Sequence, residues 1–171
     1  DALVFDTDET WMHKAHLFNY PGIGSLDGDA YMQTARQQAD DFGAERHQDA
    51  EVDDVDATDD GFVVTAGGDD HEADYLVLAT GANRDLAESI GCDFDDDGTV
   101  AVDVTMETSV ADAYATGGMI RAEEWQAVIS AGDGAAAALN ILTKEKGEHY
   151  HDFDTPSTAE EVFGDLRDDD A

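Results

Sequence analysis

Basic residues are scarce in this chain: eight lysines and arginines stand against 42 aspartates and glutamates in 171 residues, a formal net charge of −34. Without a basic patch to displace counterions, the charge argues against DNA, RNA and anionic membranes as partners. Cysteine is rarer still. A lone Cys92 rules out an internal disulfide, a C-x-x-C redox pair and a cysteine zinc site, and its expected role is that of a small apolar filler. No apolar run approaches membrane-spanning length and no signal-peptide pattern is present, so neither a span nor secretion is expected.

What is present is enough apolar material for a core. A hydrophobic fraction of 42% in 171 residues supports one domain, and the apolar residues recur periodically, unlike those of a disordered acidic chain. The acid excess therefore points to a folded surface adapted to molar salt, as in the cytoplasm of an extreme halophile that accumulates potassium. At about 1 M salt the Debye length shrinks to about 3 Å, which screens a self-repulsion that would swell the fold in dilute buffer.

The pattern predicts an α/β chain. Leu3-Val4-Phe5 forms a short buried strand ending at Asp6, and a polar and aromatic loop follows. Asp29 is positioned to cap a helix bearing Met32, Ala35, Ala39 and Phe42, and Gly43 stops it. Strand-like pieces at 51–55, 62–66 and 75–80, separated by "TDDG" and "GGDD", predict an antiparallel meander over about 51–74 feeding a strand covered on both faces. A further strand is expected at 100–104, another at 113–116, and a helix from about 123 to 142. Two strands thus end in "ATG". The domain is expected to occupy 1–155 and an acidic tail 156–171, where Ser157 and Glu160 have capping-box spacing. The chain opens on "DALVFD" without an initiator methionine, so it is expected to begin inside a domain.

Four features invite chemistry and are set aside on their residues. "GDGAAAA" contains G-x-G-x-x-A, but a dinucleotide fingerprint needs a strand before it, and "EEWQAVIS" is helical in pattern. Its small residues are expected to let a helix lie close to a sheet or cofactor. Asp93, Asp95, Asp97 and Gly98 fit the first half of an EF-hand loop, yet position twelve is Val104, so an Asp-rich turn is favoured over calcium. His13 with His16, and His149 with His151, are surface or loop histidines on the favoured view, and no metal ligand set is assigned. "GIGSLDG" fails the nucleophile-elbow pattern, and no catalytic acid or base is identified.

In their order, Asp6 at a strand end, "HLFNYPG", the meander, "LVLATGA", "FDDDGTVAVDVTMETSVADAYATGG" and "EWQAVISAGDGAAAALN" resemble the FAD domain of the thioredoxin reductase-like flavoproteins, within the pyridine nucleotide-disulfide oxidoreductase superfamily. The resemblance runs from Asp1 to about Leu142. It implies a Rossmann-like FAD/NAD(P)-binding domain with a mostly parallel central sheet and a small antiparallel meander, N-terminally incomplete. By resemblance, Asp6 accepts hydrogen bonds from the adenosine ribose and Asn19 lies near the flavin. Thr80 and Gly81 form a second cofactor contact, Gly117 and Gly118 the last strand end, and Gln126 and Ala127 the flavin-facing start of the last helix.

Three departures accompany the matches. The glycine-rich strand-turn-helix expected before Leu3 is absent from this chain; the family's final "GD" is Gly117-Gly118, so an aspartate expected at the ribityl chain is missing; and a short link through Asn83 to Ile90 stands where a nicotinamide domain with C-x-x-C is expected. The implied function is an FAD-binding oxidoreductase without the dithiol, fed by free NAD(P)H or by a nicotinamide or redox protein partner. The rival is a degenerate, non-catalytic module of the same fold acting in protein interaction. A homodimer follows by resemblance only.

Overall fold

The computed structural model describes residues 2–150; the expected tail at 156–171, the Ser157–Glu160 cap and His151 lie outside the described residues. Strand β1 (Leu3–Asp6) ends at the predicted aspartate and pairs in parallel with β4 (Glu45–Gln48), Leu3 facing Glu45 and Asp6 facing Gln48. Between them come a 3-10 helix (Trp11–Lys14), the two-residue strands β2 (His16–Leu17) and β3 (Leu26–Asp27), and helix α1 (Gly28–Asp41). The cap of α1 is Asp27, two residues before the predicted Asp29: its carboxylate accepts the Asp29 N–H over 3.0 Å, satisfying a first-turn donor. Gly43, at φ +85°, supplies the left-handed residue that ends the helix.

The meander has three strands, β5 (Val52–Thr58), β6 (Gly61–Ala66) and β7 (Asp69–Ala73), in antiparallel order 5-6-7. Its third strand, β7, lies within the expected 51–74 but was not among the predicted strand pieces. The strand expected at 75–80 forms as β8 (Leu76–Leu78) and pairs in parallel with β9 (Ala113–Ala115). It is not covered on both faces, because Val77 is 46% exposed. The short helix α2 (Asp85–Ser89) follows it. The parallel part of the fold thus comes as two two-stranded sheets, β1-β4 and β8-β9. Phe5 bridges the β1-β4 pair to the meander by packing on Val55, Phe62, Val64 and Ala113 and ringing against His47 and His71.

No regular strand forms at 100–104. Asp103 folds its carboxylate back onto the N–H groups of Thr105 and Glu107, bending the chain so that only isolated bridges, Phe94 to Val100 and Val102 to Thr108, remain. Asp97 is used in the same way, accepting both the N–H and the hydroxyl of Thr99, so the Asp-rich segment is a side-chain-tied turn. Cys92 fills the core beside Leu78, Ala87, Val100, Ala115 and Met119, and burial pushes its thiol up, away from thiolate reactivity.

Helix α3 (Ala127–Lys146) starts four residues later than predicted, after two tight turns in which Glu123 and Glu124 carbonyls accept from Trp125 and Gln126. Gly132 and Gly134 therefore lie inside a helix and form no strand-to-helix turn. The two glycines make no close packing contact within the protein, since nothing stands within 4 Å of a Cβ at either position. Ala137 and Asp133 are the residues of that stretch that pack inward.

Candidate functional site

The carboxyl ends of β8 and β9 and the first turns of α3 meet at one place. Gly81, at φ +67°, ends the segment after β8, and Gly118 lies so close that a Cβ on it would stand 3.3 Å from the Gly81 carbonyl carbon and oxygen. At this contact a side chain would fit only if the Gly81 backbone gave way by a few tenths of an ångström, so glycine favours the close approach of backbone to backbone. No protein atom comes within 4 Å of a Cβ position on Gly81, so its other side is open. Thr80 turns its hydroxyl onto the Asn83 carbonyl at 2.6 Å, which shapes the turn. Arg84 reaches across to the carbonyls of Met119 and Gly118, tying the two strand ends together.

On the helix side, Gly117 packs on Ser130, one turn beyond Gln126. Gln126 is the cap residue of α3 but makes no side-chain cap; its amide oxygen accepts from Asn19 over 2.5 Å instead. That hydrogen bond joins residues 107 apart in sequence and closes the Asn19 loop over the start of the helix. A first turn without a side-chain cap leaves helix N–H groups, beginning at Ala127, directed at whatever lies before them, with the positive end of the helix dipole behind. Seven of the eight predicted positions, Asn19, Thr80, Gly81, Gly117, Gly118, Gln126 and Ala127, therefore belong to this junction or to the segments that form it.

Asp6 stands on the other parallel sheet. Its Oδ1 accepts the Asp8 N–H at 2.8 Å, and its Oδ2 takes Arg36 from Nη2 at 2.7 Å and from Nε at 2.9 Å.

Asp133 was not anticipated as a participant. Its buried carboxylate accepts the Gly117 N–H over 3.3 Å and the Arg121 guanidinium at 2.6 Å. A carboxylate is thus delivered to the end of β9 from the helix, although the strand itself carries glycine there. The signal in the sequence was a single acid inside the apolar run "SAGDGAAAALN". Among the described residues no three His, Cys, Asp or Glu side chains converge as a metal site, and no helix is long and apolar enough to cross a membrane.

Known proteins share this fold. Solved structures of the same fold include a thioredoxin reductase from Gloeobacter violaceus, with 16% identity over 89% of this chain and 98% of that one at a TM-score of 0.76. The atypical thioredoxin reductase TRi from Desulfovibrio vulgaris Hildenborough has 15% identity over 85% of this chain and 90% of that one, with a TM-score of 0.76. A ferredoxin-flavin thioredoxin reductase from Clostridium acetobutylicum aligns at 14% identity over 86% and 98%, with a TM-score of 0.69. Identities this low speak to fold alone. No curated protein matches the chain. The family model for pyridine nucleotide-disulphide oxidoreductase matches residues 25–135, more than half of the sequence, and the chain belongs to that family.

Proposed function

We propose that this chain binds FAD and serves as a flavin-dependent oxidoreductase of thioredoxin reductase-like type that works without a C-x-x-C dithiol and in high salt. The observation that carries the reading is the Asn19–Gln126 hydrogen bond, which joins two positions, 107 residues apart in sequence, that the resemblance assigns to the flavin. FAD, when bound, supplies two-electron transfer chemistry.

The residues fit a flavin at the junction. Gly81 leaves open space beside its backbone, Gly118 presents none of its own side chain, and the first turn of α3 lacks a side-chain cap. Ala127 and its neighbours would direct backbone N–H groups toward negative charge, which favours electron acceptance there. Asn19 and Gln126 would hold the ring in place, and Asp6 would take the adenosine ribose. The electron donor on this reading is free NAD(P)H or a nicotinamide or redox protein partner, in the cytoplasm of a salt-accumulating cell, with a homodimer as the assembly suggested by resemblance.

One observation favours the second reading, a non-catalytic module of the same fold: the Asp6 carboxylate is already engaged by Arg36 and by the Asp8 N–H. FAD titration in molar KCl, followed by flavin fluorescence, separates the two. Saturable binding that Asn19→Ala weakens about tenfold, the effect of losing roughly one good hydrogen bond, supports the cofactor reading. Protein that takes up no FAD leaves the module.

A further inference from the structure

Five charged groups alternate in sign from the first turn of α1 to the end of β1: Asp29, His13, Asp8, Arg36 and Asp6. The His13 Nδ1 meets Asp29 Oδ1 at 2.5 Å, and its Nε2 meets Asp8 Oδ1 at 2.9 Å and the Asp8 carbonyl at 3.0 Å. Arg36 then pairs with both Asp8 and Asp6. Both ring nitrogens face acceptors, an arrangement that only the doubly protonated imidazolium satisfies by donating on each side. The groups facing His13 from the packed elements are Asp29 and, through Asp8, Arg36, both on α1; Asp40 and Arg46 lie further along the same cleft, held to each other.

The clasp also fixes backbone. Asp8 sits at φ +61°, a left-handed conformation unfavourable for a side-chain-bearing residue, and its own N–H is the group that holds Asp6 Oδ1. The 3-10 helix carrying His13 is pressed flush onto α1, because a Cβ on Gly28 would stand 1.8 Å from the Met12 carbonyl oxygen. Asp6 offers about four lone-pair positions, of which Arg36 and the Asp8 amide use three, so one is left on Oδ1 for a ligand hydroxyl.

We propose that His13 is a protonation-dependent clasp that positions Asp6, so that a ribose-bearing ligand binds at the β1 end tightly while His13 carries its proton and less tightly once it is lost. The ligand part rests on the reading that Asp6 takes the adenosine ribose. The hydrogen bonds that the His13 ring donates to Asp29 and then to Asp8 raise its pKa above its ordinary 6.5, and Arg36 followed by His13 lowers that of Asp8. Because the folded value is the higher one, the clasp is fully formed below the ordinary histidine value and lost as pH rises through the raised one.

The test uses the whole chain at one fixed molar KCl concentration. Nitrogen NMR of the His13 ring gives its titration midpoint, amide exchange at Asp8 reports the clasp without any ligand, and FAD titrations are run on both sides of the midpoint. The expected result is a midpoint above 6.5, an Asp8 amide whose protection, taken relative to its intrinsic base-catalysed rate at each pH, drops above it, and FAD affinity that falls roughly fivefold or more, whereas His13→Gln is weak and flat with pH. Affinity and Asp8 exchange indifferent to the His13 proton overturn the proposal. Failure to bind FAD at any pH removes the flavin reading and with it the ligand coupling, while the clasp itself is still judged by Asp8 exchange.

Discussion

Gly117 donates its backbone N–H to the buried carboxylate of Asp133 over 3.3 Å, so the end of β9 is fastened to the second turn of α3. Arg121 completes the arrangement from the segment after Gly118, at 2.6 Å from the other carboxylate oxygen. Arg121→Ala is expected to cost ~2 kcal/mol, below the ~3–5 kcal/mol of breaking a fully buried pair because the arginine is partly solvated. Asp133→Asn keeps an acceptor for Gly117 and is expected to cost ~1 kcal/mol. Urea melts of the two variants in molar KCl measure both.

Gly28 offers a sharper steric test. A methyl group there would overlap the Met12 carbonyl, and a carbonyl in a packed 3-10 turn has no rotamer by which to withdraw. Gly28→Ala is expected to destabilise the chain by ~3 kcal/mol or more, whereas Gly24→Ala, with open space around it, should stay within ~1 kcal/mol of the parent. Thermal melts of both variants decide it.

Tyr114 is fully buried in β9, and its hydroxyl donates to Asn140 of α3 at 2.6 Å. Beside it Lys144 bonds Glu107 at 2.6 Å and Asp112 at 2.8 Å. Partial burial works against the lysine charge, but the bonds to Asp112 and Glu107 outweigh it and raise its pKa. Tyr114→Phe is expected to cost ~1 kcal/mol and Tyr114→Ala ~3–5 kcal/mol, a ratio that separates the hydrogen bond from the ring's burial in denaturant unfolding.

The charge of −34 leads to a solvent prediction. Diluting KCl from molar to millimolar concentration lengthens the Debye length from about 3 Å to 30 Å or more, so repulsion among surface carboxylates reaches across the molecule. The melting temperature should fall steeply and helical dichroism should collapse in dilute buffer. A melting temperature that does not change with salt would mean that the acid excess has no such role.

Much of the architecture was legible where one residue type does one job. Asp6 at the end of β1, Gly43 after α1 and the turn residues around Gly61 and Gly67 mark boundaries that backbone sterics enforce. Strands β4 and β7 were not visible because "ERHQ" and "DDHEA" carry no apolar alternation; they form by pairing with β1 and β6. Asp103 defeated the strand expected at 100–104, since a side chain that can bond its own backbone competes with the ladder. Gly81, Gly118 and Gln126 were singled out only through the family resemblance that the ordered motifs carry. Asp133, Arg121 and the His13 chain were not, because their meaning lies in contacts between elements that spacing along the sequence does not encode.

The most direct measurement is the visible spectrum of the protein in molar KCl, before and after addition of FAD and removal of the excess. Flavin bands retained near one FAD per chain are the expected result. A colourless protein that retains none after incubation would contradict the central claim and leave the same fold as a non-catalytic module.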